Sequence, residues 1–145
     1  MRSIPTAVLL FSLLGLLPLL MGTLVSIFNL SLSEQIMEIT IRMSITYAGL
    51  ILSFLGGCLF AFKVKSDTNC SWQTLISSFL PTLWAFSALS LPSFKASALA
   101  IGFLITYELD RKALQNKLTP NWWLALRLPL TTVVIVLLII LGFYA

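Results

Sequence analysis

Arg127 stands where a charge is costly. It is flanked by Leu126 and Leu128, about one turn into an apolar run that continues to Tyr144. A charge at the centre of a bilayer costs about 2.5 to 3.5 kcal/mol, and less toward the edge. The side chain must therefore find a partner or reach the interface. Glu108 and Asp110 close the preceding apolar run. In one arrangement Arg127 pairs with Asp110 and clamps two helices together. In another it snorkels alone to the headgroups. A third gives the charges a ligand: Arg127, Lys112 and Lys117 hold a phosphate headgroup, beside Trp122 and Trp123 as an interfacial anchor.

No other residues have the types or spacing for catalysis. The chain contains no histidine, which removes the commonest metal ligand and general base. Cys58 lies in an apolar run and Cys70 in the loop after it. They are expected as a small core residue and an incidental reduced thiol, not as a disulfide framework. The acids sit outside the apolar runs or at their edges, so no nucleophile–base pair can be named. The expectation is no enzyme, no metal and no cofactor.

The elements that must position these charges are membrane spans. Of 145 residues, 59% are hydrophobic and only 10% charged, and the mean hydropathy is +1.01. A soluble domain carries about 25% charged residues, so lipid is the natural solvent for a chain this apolar. The length allows one domain, 1–145. The net charge of +4 arises from basic residues between apolar runs rather than in a patch. That pattern argues against nucleic acid and for a positive-inside bias.

The chain is predicted to be all-α and polytopic, with about five transmembrane helices. The first, 5–28, is too long for a signal-peptide core and lacks an Ala-x-Ala site; Pro18 is expected to kink it. Residues 31–43 form an amphipathic extension. Ser31-x-x-Glu34 has the form of a capping box, Leu32, Ile36, Ile39 and Met43 form an apolar stripe, and Glu38 and Arg42 are spaced for an ion pair. The extension either leads into the second span without a break or is separate from it, and its stripe serves as a docking surface or a solvated face.

The second span, 44–62, is the organising one. Gly49, Ser53, Gly57 and Ala61 stand four apart and, with Gly56, are assigned to a groove where neighbouring helices approach closely. A polar loop containing Lys63 and Lys65 follows. The third span is 72–91, with Ser77 and Ser78 placed to satisfy carbonyls freed by Pro81. The fourth, 94–109, is short for a crossing; a re-entrant hairpin is its alternative. The fifth is 124–144. Tyr47, Ser53 and Thr131 are expected to hydrogen-bond between helices. With five crossings, Arg2, Lys63, Lys65, Arg111, Lys112, Lys117 and Arg127 share one side, against Arg42 and Lys95 on the other. The N-terminus is thus expected in the cytoplasm and the C-terminus outside.

Several segments together resemble the transmembrane protein 69 family of uncharacterised small multi-span membrane proteins. They are Gly15-Leu16-Leu17-Pro18, Tyr47 with Ile51-Leu52-Ser53-Phe54-Leu55-Gly56-Gly57, and Leu80-Pro81-Thr82-Leu83-Trp84-Ala85. Asp110, Pro120, Trp122, Leu126-Arg127 and Leu130-Thr131 complete the pattern. The likeness covers nearly the whole chain. Where many members carry His-Trp after the glycine pair, this chain has Leu59-Phe60, and Trp123 replaces the usual tyrosine. The resemblance implies a multi-span inner-membrane protein, bacterial or mitochondrial, and assigns no activity.

Two functions are expected from this reading. The first is a structural subunit or assembly factor of a membrane complex, partnered by the bilayer and by another membrane protein or a second copy. The second is a small-solute or lipid transporter or channel. Transport sites show intramembrane ionisable residues or paired broken helices, and here only Pro18 and Pro81 hint at two similar halves.

Overall fold

The computed structural model describes residues 4–28, 33–66 and 71–144. All the regular structure among them is α-helical. Three helical rods are long and apolar enough to cross a membrane: Thr6–Phe28, Glu34–Ser66 and Trp123–Tyr144.

The first rod is broken. Helix α1 (Thr6–Leu14) and helix α2 (Leu17–Phe28) meet at Gly15–Leu16, where Leu16 N–H bonds back to Leu13 O in a tightened turn. Pro18 explains the place. It has no N–H to give Leu14 O, and its ring crowds that carbonyl, so the irregularity falls in the turn before the proline rather than at it.

Helix α3 (Glu34–Ser66) is one uninterrupted helix of 33 residues. It joins the amphipathic extension to the second span and is about 50 Å long at 1.5 Å per residue. Ser33 Oγ accepts from Ile36 N–H at 3.4 Å at its start; Ser31 and Leu32 lie outside the described residues. The predicted stripe faces outward: Ile36, Ile39 and Met43 are exposed, and Ile41, Ser44 and Ile45 are buried instead. The inner face is set by α2, which packs so closely that a Cβ on Gly22 would fall 2.1 Å from Ser44 Oγ. Ser44 Oγ also donates to Pro18 O at 2.9 Å. Lys63, expected in a loop, lies in the last turn of α3; it is buried, and its ammonium donates to Ser77 Oγ at 2.5 Å.

Helix α4 (Trp72–Ser90) runs through Pro81 unbroken. Of the two serines expected to serve its freed carbonyls, Ser77 Oγ receives Lys63, and Ser78 Oγ is buried without a hydrogen-bond partner. Helix α5 (Lys95–Gln115) has 21 residues and extends past the expected 94–109. At about 31 Å it matches the bilayer core in length. It continues because Asp110 and Ala113 point inward while Arg111 and Lys112 remain exposed. Helix α6 (Trp123–Tyr144) passes through Pro129. The core joins Leu19, Ile45, Leu52, Leu99, Phe103 and Leu138, contributed by α2, α3, α5 and α6.

Candidate functional site

The stripe on α3 turns out to be rotated. A Cβ on Gly49 would meet Leu89 Cδ1 at 2.7 Å, and one on Gly56 would meet the backbone oxygen of Ser78 at 2.7 Å. Between them Ser53 Oγ donates to Thr82 Oγ1 at 3.1 Å. Gly57 and Ala61 are exposed, and a Cβ on Gly57 would meet nothing within 4 Å. An i+4 row drifts around a helix of 3.6 residues per turn. The line facing α4 therefore passes through Gly49, Ser53 and Gly56 and leaves Gly57 and Ala61 outside the groove.

At one end of the bundle Arg127 Nε donates to Asp110 Oδ2 at 2.8 Å. Arg127 is 4% exposed and Asp110 0%, so α5 and α6 are joined by an ion pair away from water. Removing one partner of such a pair leaves an uncompensated buried charge. The fork is half used: Arg127 Nη2 and Asp110 Oδ1 have no partner. Lys112 and Lys117 are exposed and stand apart from this pair. Lys117 closes α5 in a left-handed turn with φ 56°.

The two tryptophans differ. Trp122 is half-buried, whereas Trp123 is 8% exposed and packs edge-on against Phe62 at a ring separation of 4.9 Å. Trp123 is thus buried against α3, because α6 begins at this residue and turns it toward that helix. Its Nε1 has no partner. Thr131 Oγ1 likewise has none, so it does not link helices as Ser53 does.

Above Arg127 lies a cavity of about 630 Å³ between α1, α3 and α6. Its walls are mostly apolar, and Trp123, Arg127, Tyr47, Ser12 and Cys58 also line it. It exists because α1 departs from the bundle at the Gly15 break and buries none of its own residues. Nothing in the pattern of residues marks the cavity beyond the Gly15-x-x-Pro18 break itself. At the opposite end, a second cleft gathers Glu38, Arg42 and Lys95 beside Pro92 and Phe94. There Arg42 pairs with Glu38 at 2.5 Å with both side chains exposed, which makes it a weak surface interaction. Among the described residues no group of histidine, cysteine, aspartate or glutamate could hold a metal ion.

With this geometry in place, residues 4–143 match a family described as a protein of unknown function, DUF3429. The chain belongs to that family. No curated protein and no solved structure matches it. Since the DUF3429 match spans all six helices, the α5–α6 ion pair, the α3–α4 groove and the cavity all fall inside the family's domain.

Proposed function

We propose that this DUF3429 protein is a multi-pass integral membrane protein that works by binding and holding other membrane components. In this reading it is a structural subunit or assembly factor with no catalysis of its own. The observation that carries it is helix α3. At about 50 Å it is longer than the roughly 30 Å hydrocarbon core, and its first turns turn Ile36, Ile39 and Met43 outward beside the exposed Glu38–Arg42 pair. That face suits a second membrane protein, or another copy of the chain, meeting it at the bilayer edge.

The proposed location is a bacterial inner membrane, with the mitochondrial inner membrane as the alternative; the likeness to transmembrane protein 69 supports either. The proposed orientation places the Lys63, Arg111 and Arg127 end in the cytoplasm and the Arg42 and Lys95 end outside. Purification in mild detergent from the native host, with mass spectrometry of what co-elutes, tests the proposal. A stoichiometric protein partner or a defined homo-oligomer is the expected result. A monomer carrying only lipid would sink the subunit reading. It would favour the second one, lipid or small-solute handling, to which the cavity beside Arg127 lends specific support.

A further inference from the structure

We propose that the cavity between α1, α3 and α6 seats one neutral lipid alcohol, whose hydroxyl lies at the Gly15 break between the hydroxyls of Tyr47 and Ser12 and whose hydrocarbon chain lies along the apolar walls. The inference rests on the chain being embedded in a bilayer and does not depend on a protein partner.

Two hydroxyls locate the polar end. Thr23, Ser26, Thr46 and Thr106 each donate to the carbonyl four residues earlier in their own helix. Ser12 and Tyr47 differ. Both line the cavity, and both are only partly buried. Neither hydroxyl has a hydrogen-bond partner among the described residues, and neither is sealed in the interior as Trp123 Nε1 and Arg127 Nη2 are. They converge on Gly15, which also lines the cavity. Tyr47 Oη lies 3.9 Å from where a Cβ on Gly15 would stand, so it reaches from α3 to the break that ends α1. Ser12 stands about one turn before that break.

The kind of group follows from what these neighbours offer. Each hydroxyl can donate and accept. The break adds an acceptor: Leu16 N–H bonds to Leu13 O, so Ser12 O loses the donor that a continuous helix would give it. An alcohol, which accepts one hydrogen bond and donates another, answers both. The walls call for no charge. Among the residues lining the cavity Arg127 alone is charged; it is 4% exposed, and Asp110 already neutralises it. An acid or a phosphate would find no free cation here.

Depth separates this occupant from ordinary phospholipid. Ser12 and Gly15 stand about 9 and 13 Å along the first rod from Thr6, inside a hydrocarbon core about 30 Å thick. A phospholipid keeps its polar atoms at the bilayer surface and brings only tail carbons to this level. A hydroxyl left unpaired in hydrocarbon is costly, and one alcohol relieves two of them together. The rest of the ligand is hydrocarbon, because Val8 of α1, Phe54 of α3, and Leu130 and Val134 of α6 are apolar. A volume of about 630 Å³ lies within the range of small-molecule sites, about 300 to 1,000 Å³. Entry is lateral, past α1, which buries none of its own residues.

The test uses the full chain. Carbonate-washed membranes first show whether it is embedded. Native mass spectrometry of delipidated protein then titrates probes that share one isoprenoid chain: farnesol, farnesene, which has no oxygen, and farnesyl phosphate, which is charged. One farnesol per chain is expected, held about tenfold tighter or more than farnesene, as a pair of hydrogen bonds implies, and tighter than farnesyl phosphate. Tyr47→Phe keeps the ring and should cut the preference for farnesol over farnesene about fivefold by removing one hydroxyl, with farnesene binding unchanged. Ser12→Phe, which fills the cavity from α1, should abolish binding of farnesol in a protein that still melts cooperatively. Equal affinity for farnesol and farnesene, tighter binding of farnesyl phosphate, an unaltered preference in Tyr47→Phe, or wild-type binding in Ser12→Phe would each overturn the site. If the chain is absent from washed membranes, the membrane reading itself falls; if it is embedded but binds no farnesol, only this site does.

Discussion

Helix α3 has two neighbours of opposite character. Toward α4 it offers Gly49, Ser53 and Gly56, and the backbones come so close that a methyl group at Gly56 would press on Ser78 O. Toward α1 it offers Tyr47, Leu50, Phe54 and Cys58, and a cavity opens instead. Both sides are uncharged, so charge cannot account for the contrast. In lipid no hydrophobic force pulls helix to helix, and close packing with hydrogen bonds must do so. Small residues permit the approach on one side. Large ones, together with the Gly15 break, hold the helices apart on the other.

The charged pair gives the largest test of this division, because it fixes the floor of the open side. Asp110→Asn strands Arg127 at 4% exposure and should cost about 3 to 5 kcal/mol, read as loss of monodisperse protein in detergent. Adding Arg127→Met should recover much of the loss, since it removes the stranded cation. If Asp110→Asn melts like wild type, α5 and α6 do not depend on the pair.

Next come the adjacent glycines. Gly56→Ala places a Cβ 2.7 Å from a backbone oxygen and should lower stability by about 1 to 3 kcal/mol, measured as a melting shift in detergent. Gly57→Ala meets nothing within 4 Å and should shift stability by no more than about 0.5 kcal/mol. Equal effects at the two positions would dissolve the contrast between the packed and open faces. Between them in size, Ser53→Ala removes the 3.1 Å bond to Thr82 and should cost about 0.6 kcal/mol; a loss above 2 kcal/mol would show that the serine does more than join two helices.

Much of this was legible in the sequence, for stated reasons. Runs of apolar residues long enough to span a bilayer can only be helices there, so the order of elements followed from composition. Arg127 and Asp110 could be matched because they bracket one loop, and neither is easily accommodated in lipid alone. Rotation was not legible. Residues four apart share a face only locally, and which of Gly56 and Gly57 meets α4 depends on the crossing of two helices. Nor was the inward turn of Trp123: a tryptophan at a span edge suits either an interface or a core, and Phe62, far off in sequence, decides it. The apolar stripe of α3 was visible, but not that Ile41 and Ile45, rather than Ile36 and Ile39, would be buried. The cavity was hidden for the same reason, since it depends on where α1 departs.

The Asp110–Arg127 bond also has a place in time. Its two residues are 17 apart in the chain, and at a synthesis rate of roughly 5 to 20 residues per second the arginine follows the aspartate by about one to three seconds. During that interval the nascent chain carries a carboxylate facing the bundle with no cation to meet it. A chain cut short before α6 keeps that carboxylate permanently unmatched. The final helix thus neutralises an acid that every chain lacking it leaves unmatched.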